Sequence, residues 1–125
     1  TLLRDDEPDL ADALHGRAVD MLNQLANRFP NVVAYRVFLA SALRQHGLTL
    51  QSMERLEDAA ESFQLAVEQN RAFLKAHPES PLGRRELASD LQLLADTLKQ
   101  SGDSERAGEL SEQATRHWRK RPDFE

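Results

Sequence analysis

The sequence contains no cysteine, few aromatic residues and no long apolar run. The missing thiols exclude disulfides, a thiol nucleophile and zinc sites built on thiolates. No apolar run approaches the 18 or so residues that a membrane-spanning helix needs. Aromatic residues make up 6% of the 125 residues, yet a hydrophobic content of 40% is enough for one folded domain. We therefore expect a single cytoplasmic domain over residues 1–125, with no cofactor and no membrane partner.

Positive charge is also in short supply. The chain has 16 Lys and Arg against 21 Asp and Glu, which gives a net charge of -5. Proteins that bind nucleic acids or anionic membranes need a basic surface, so we expect neither kind of partner. The one basic run, residues 116–121, falls where a helix should end, and cations stabilise that end of a helix.

A repeat of 48 residues runs through the chain. When the sequence is shifted by 48, about 18 of roughly 77 overlapped pairs are identical, whereas composition alone predicts roughly 5. The densest matches pair residues 30–50 with residues 78–98. This register divides the chain into a partial repeat (1–30), a full repeat (31–78) and a degenerate terminal repeat (79–125).

Apolar residues within each repeat have helical spacing. Leu56, Ala59, Phe63, Ala66 and Val67, for example, follow one another in steps typical of one helix face, and we expect Phe63 to be buried. No segment alternates with a period of two, so we expect no strands. The predicted helices, which prolines at 30, 78 and 122 separate or end, cover residues 8–28, 32–51, 55–76, 81–100 and 104–120. Their short connections predict antiparallel neighbours.

One helix pair carries a characteristic set of residues, and its small members lie where paired helices would approach each other closely. The set is Tyr35-Arg36, Leu39-Ala40, Leu43, Gly47, the pair Ala59-Ala60, Ala66 and the closing Phe29-Pro30, although Gly83 and His77 replace Tyr35 and Phe29 in the degenerate unit. This pattern resembles the tetratricopeptide class of helical repeats. The resemblance implies an all-α solenoid of antiparallel helix pairs, here about 2.5 repeats in five helices. The period of 48 exceeds the usual 34, which implies helices about two turns longer.

The longer period adds a second resemblance. Residues 29–40 look like the start of the units in tandem arrays found C-terminal to serine/threonine protein kinase domains in planctomycete-type bacteria. This resemblance implies a non-catalytic, regulatory part of a larger bacterial protein, with an intramolecular kinase domain as one candidate partner. The opening on Thr1 rather than Met also suggests a longer parent, with residues 1–4 ending an earlier helix. No kinase motif occurs in this chain, so a kinase active site would lie elsewhere.

Catalytic and metal-binding residues are not evident in the sequence. No two of the four histidines have the spacing that places both on one helix face, and packing explains them better; they are His15, His46, His77 and His117. No nucleophile elbow or zinc-protease motif occurs either. We therefore expect no catalytic residue, no metal site and no enzyme activity in this chain.

Two arginines, Arg36 and Arg84, occupy equivalent positions in successive repeats. Both lie close to the apolar stripe of their helix, so each guanidinium would run along the packed face. We interpret them as structural clamps that reach the carbonyl end of the preceding helix, because that end carries partial negative charge.

A second stripe, opposite the core stripe on the helices at 32–51 and 81–100, is the predicted partner groove. Its predicted lining residues are Phe38, Ser41, Arg44, Gln45, Arg85, Glu86, Ser89 and Asp96. For the apolar members of the stripe, packing against neighbouring helices is the competing interpretation; they are Phe38, Leu48, Leu82 and Leu93. We expect a protein-protein interaction module that binds a protein or peptide. The alternative is a helical spacer or dimerisation element that forms a weak homodimer.

Overall fold

Five helices account for nearly all of the described chain. The computed structural model describes the backbone of residues 2–119 and the side chains of residues 9–117. The helices are α1 (Leu2–Arg28), α2 (Val33–Ser52), α3 (Leu56–Ala76), α4 (Pro81–Gln100) and α5 (Ser104–Arg119). Between residues 2 and 119 there is no strand, so the all-α prediction is confirmed.

The predicted boundaries hold for α2 to α5 to within one residue, but the start of α1 was wrong. Helix α1 begins at Leu2, so Pro8 lies inside it, and residues 2–4 belong to α1 rather than to an earlier helix. Proline at position 8 lacks the N–H that would bond to the carbonyl four residues earlier and crowds that carbonyl, yet the helix continues through it. Thr1 and residues 120–125, which belong to the predicted first and last repeats, lie outside the described residues.

The turn after α2 and the turn after α4 are built alike. Glu54 and Gly102, which are 48 residues apart, both have a positive φ, of 60° and 101°. In each turn, the N–H of this residue donates to the carbonyl three residues earlier, and the next N–H donates to the carbonyl five residues earlier. Both turns are therefore Schellman motifs, the helix ending that needs a left-handed residue.

Each helix packs against its neighbours in sequence. These neighbours run antiparallel, because Gly47 near the end of α2 lies against Phe63 near the start of α3. Two helix pairs, α2 with α4 and α3 with α5, are in side-chain contact and run parallel. Residues 44 and 51 of α2 bond to residues 90 and 97 of α4, and residues 64 and 71 of α3 bond to residues 106 and 113 of α5.

The core lies mainly between α2, α3, α4 and α5. The prediction that Phe63 is buried is confirmed, since its side chain is fully buried among Leu87, Leu91 and Leu94. A smaller cluster joins α2 and α3 to the inner face of α1; it contains Leu39, Leu43 and Ala66, with Val19, Leu22 and Ala26 against it. The ring of Phe63 fits because Gly47 presents no side chain to it.

Candidate functional site

A groove opens between the N-terminal halves of α2 and α4. It encloses about 270 Å³, and its lining includes Phe38 and Ser41 from α2 and Leu82 from α4. Residues Asn70 and Phe73, from the second half of α3, also line it. Because α2 and α4 are parallel and both pack on α3, the groove follows their shared direction.

The groove is apolar where it meets solvent. Phe38 is 55% exposed and Leu82 is 51% exposed, so neither is packed against a neighbouring helix to the extent that the competing interpretation requires. Leu48 and Leu93, the other two apolar residues of the predicted stripe, do pack against the main core. The stripe therefore divides into two apolar residues at the groove and two that contact the core.

A polar cluster of Arg44, Asn70, Glu86 and Asp90 joins three helices at the inner end of the groove. Arg44 Nε donates to Asp90 Oδ1 at 2.6 Å, and Arg44 Nη2 donates to Glu86 Oε2. Asn70 Nδ2 donates to the second oxygen of Asp90, Oδ2. The cluster therefore bridges α2 to α4 and ties both to α3.

The charges of this cluster depend on one another. Burial raises the pKa of Asp90 because it removes water from the carboxylate, while the hydrogen bonds from Arg44 and Asn70 oppose that rise. Burial also disfavours the charge on Arg44, but its bonds to Asp90 and Glu86 outweigh this, and the pKa of Arg44 is raised. A raised pKa favours the charged form of Arg44 but the neutral form of Asp90. We take Asp90 as ionised at neutral pH, because a permanently charged guanidinium lies 2.6 Å away.

Half of the predicted groove residues line the groove: Phe38, Ser41, Arg44 and Glu86. The other four, Gln45, Arg85, Ser89 and Asp96, do not. Gln45, Ser89 and Asp96 lie farther along their helices, where the polar cluster already bridges α2 to α4. Arg85 is exposed, and Asp96 accepts a hydrogen bond from Gln92 Nε2 at 3.0 Å.

Two members of the polar cluster, Asn70 and Asp90, were not predicted as site residues. Asp90 is fully buried among the apolar residues of α4, and Asn70 is buried in the apolar stripe of α3. A carboxylate inside a helix stripe such as Leu87, Leu91 and Leu94 is a signal available from the sequence, because a buried charge requires a partner. The partner lies 46 residues away, at Arg44, and spacing on one helix cannot identify it.

Histidines form a second polar contact, between α1 and α2. His46 Nε2 lies 2.5 Å from Asp12 Oδ1, and the rings of His15 and His46 are 6.2 Å apart. The hydrogen bond with His46, helped by the charge of Arg55, lowers the pKa of Asp12. Among the residues whose placement is described, no group of three or more His, Cys, Asp or Glu could hold a metal ion.

The clamp interpretation of Arg36 and Arg84 gains no support from hydrogen bonding. Neither guanidinium bonds to a carbonyl at the end of the preceding helix in the described part of the chain, and Arg84 Nη2 is buried without a hydrogen-bond partner. His77 is exposed and its ring centroid lies 4.9 Å from that of Phe73, so the packing interpretation of this histidine stays a prediction.

Comparison with models of protein families, with curated proteins and with solved structures gives no match. Within residues 2–119, no helix combines the length and the apolarity needed to cross a membrane.

Proposed function

We propose that the chain is a protein-protein interaction module whose groove between α2 and α4 holds a segment of a partner protein. The observation that carries this proposal is that Phe38 and Leu82 are both more than half exposed at one groove. Apolar side chains gathered on a surface are typical of interaction sites, because a partner that covers them removes apolar area from water.

The proposed architecture is a tetratricopeptide-like solenoid with a 48-residue unit. Supporting observations are the two Schellman turns at Glu54 and Gly102, and the parallel alignment of α2 with α4 and of α3 with α5. A solenoid requires such a helix pair to be repeated and stacked in register. Its first helices, α2 and α4, would then line the face that carries the groove.

The shape of the groove favours a peptide. Its volume is about 270 Å³, close to the lower end of the roughly 300–1,000 Å³ of typical small-molecule sites. The groove is also open along α2 and α4, which suits side chains projecting from an extended or helical segment. Among the side chains that the structure describes, no histidine lines it beside Ser41, so a serine–histidine pair is not assembled from them, and we propose a non-enzymatic role.

We further propose that the module is a regulatory part of a larger bacterial protein. The support is the resemblance of residues 29–40 to the repeat arrays that follow serine/threonine kinase domains. In such a parent, an intramolecular kinase domain would be one candidate for the groove. Binding of a separately purified kinase domain, measured by calorimetry, would test this assignment, and the absence of binding heat would count against it.

The test of the groove is a selection of peptides displayed on phage against the immobilised chain, followed by affinity measurements on two arginine variants. Ser41→Arg places a long side chain inside the groove. Gln45→Arg adds the same charge one turn farther along α2, at an exposed residue outside the lining. We expect Ser41→Arg to abolish binding of the selected peptides and Gln45→Arg to preserve it, with unchanged helicity in both. Equal binding by both variants would show that the partner surface lies elsewhere.

Self-association is a second candidate function, because α1 has an apolar outer face. Leu10, Leu14 and Met21 lie on one side of α1 and are each more than half exposed. The repeat-equivalents of Leu10 and Met21 in α3 are Asp58 and Gln69, so repeat packing does not require apolar residues there. A second copy of the chain would cover this face.

Sedimentation of the unmodified chain and of Leu14→Asp at increasing concentration measures the oligomeric state of each. We expect the unmodified chain to dimerise and Leu14→Asp to stay monomeric; an unmodified chain that is monomeric at all concentrations would exclude this function.

A further inference from the structure

The inner end of the groove carries an excess of negative charge. The polar cluster contains one guanidinium, Arg44, and two carboxylates, Glu86 and Asp90. Asp90 is fully buried and accepts the hydrogen bond from Arg44 Nε. The positive charge of Arg44 therefore balances the charge of this carboxylate before that of Glu86. Glu86, whose side chain is 32% exposed, is the carboxylate that remains in contact with solvent at the groove.

Among the described residues, no further charged side chain lines the groove. Arg44 and Glu86 are the charged side chains that line it in the described part of the chain. The positive end of α4 is close, but its Gly83 N–H already donates to Ser80 Oγ at 3.0 Å. The field of a helix end fades within its first turn, and Glu86 lies in the second. The net charge of -5 on the whole chain adds a long-range attraction for cations.

The apolar and acidic parts of the groove are one helical turn apart. Leu82 and Glu86 are separated by four residues of α4, which corresponds to about 6 Å along the helix axis. In a ligand, two residues of extended chain cover about 6.6 Å and four residues of helix cover about 6 Å. A side chain beside Leu82 and another beside Glu86 can therefore come from the same short segment.

We propose that the groove recognises a basic amphipathic segment of a protein. A bulky apolar side chain lies between Phe38 and Leu82, and a lysine or arginine of the same segment lies against Glu86. The cation follows the apolar residue by two positions in an extended segment or by four in a helical one. This inference rests on the proposed function, because it requires the groove to bind a peptide.

The first measurement uses blocked synthetic peptides and backbone NMR spectra of the labelled chain. One pair contains Leu-Gly-Lys or Leu-Gly-Glu in a Gly-Ser background, and a second contains Leu-Ala-Ala-Ala-Lys or Leu-Ala-Ala-Ala-Glu in a helical background. We expect a lysine peptide to shift the amides of Phe38, Ser41 and Leu82. Its glutamate counterpart should bind about two- to fivefold more weakly at low salt, the effect expected from an exposed charge pair worth up to about 1 kcal/mol. High salt should reduce the difference.

The second measurement assigns the preference to Glu86. Glu86→Gln removes the excess charge and keeps the shape, and it leaves Arg44 compensated by Asp90. Glu68→Gln, at an exposed residue of α3 outside the groove, makes the same change in net charge and is the matched control. We expect Glu86→Gln to bind the lysine and glutamate peptides equally, and Glu68→Gln to retain the preference. Circular dichroism checks that both variants are folded, and the salt dependence of the unmodified chain provides an independent readout.

Each outcome decides between the inference and the proposed function. If the peptides shift the groove amides with no preference for lysine, the inference is wrong and the proposed function stands. If both glutamine variants keep the preference, Glu86 is not its source and the inference is also wrong. If no peptide of the panel shifts these amides, the inference fails. A simultaneous failure of the phage selection to yield peptides sensitive to Ser41→Arg would then overturn the proposed function as well.

Discussion

Replacing Gly47 by alanine tests the packing of α2 on α3. A Cβ atom on residue 47 would lie 2.5 Å from Cε1 and 2.7 Å from Cδ1 of the Phe63 ring. Carbon atoms in normal contact are about 3.5–4.0 Å apart, so the ring or the helix would have to move by about 1 Å. Phe63 is fully buried, so its ring cannot turn into solvent to make room.

Two opposing contributions set the expected size of the effect. Overpacking a core typically costs about 1–3 kcal/mol, and this contact lies at the severe end of that range. Alanine in place of glycine inside a helix stabilises the fold by about 1 kcal/mol. We therefore expect Gly47→Ala to lower the free energy of unfolding by about 2 kcal/mol, which a domain with the usual 5–15 kcal/mol survives in folded form.

Gly108 and Gly16 provide the control for this experiment. Both lie in helices, and a Cβ at either position would meet nothing within 4 Å. Gly108→Ala and Gly16→Ala should therefore show only the helical gain and raise the free energy of unfolding by about 0.5–1 kcal/mol. Urea denaturation followed by circular dichroism measures all three variants. A Gly47→Ala variant as stable as the Gly108→Ala variant would refute the close approach of α2 to Phe63.

Three further predictions address the polar cluster, a turn and the α1–α2 contact. Arg44→Ala leaves the buried Asp90 without its cation and should lower the free energy of unfolding, measured by urea denaturation, by about 3–5 kcal/mol. Arg44→Leu combined with Asp90→Leu should lower it much less, and equal losses in the two variants would contradict this reasoning. Glu54→Gly should raise the free energy of unfolding by about 0.5–1 kcal/mol, because residue 54 has a positive φ that glycine adopts without strain. A lower free energy of unfolding in this variant would argue against the turn geometry. The lowered pKa of Asp12 means that this carboxylate stabilises the fold above its unfolded pKa of about 3.9, and that this stability disappears as the pH falls through the folded pKa. Asp12→Asn should therefore be less stable than the parent near neutral pH and should approach it in acid; a difference independent of pH would exclude this role.

The helices were predictable because their signals are local. Apolar spacing and the prolines at 30 and 78 placed α2, α3 and α4 to within one residue. Helix α1 was the exception, since a proline begins some helices and lies within others, and Pro8 alone does not distinguish the two. The left-handed turn at Glu54 was not evident from its residue type, although its repeat-equivalent is Gly102.

The polar cluster was harder to predict because it lies where the repeat is not conserved. Across the 48-residue register, Arg44 corresponds to Gln92 and Asp90 corresponds to Ala42, so neither charge recurs. A site inferred from recurring residues would therefore retain Ser41 and Ser89 and would miss Asp90. Of those two serines, only Ser41 lines the groove.

The same departure from the repeat explains how one groove can combine apolar and acidic character. Phe38 and Glu86 occupy the same position in successive repeats, and the parallel packing of α2 and α4 places both on the groove. If the two repeats were identical here, the groove would carry either two aromatic rings or two carboxylates. Two rings would favour a purely apolar ligand, and two carboxylates would repel each other and leave the groove without an apolar anchor. The substitution between repeats is thus what makes a ligand with one apolar and one basic side chain the best complement to this groove.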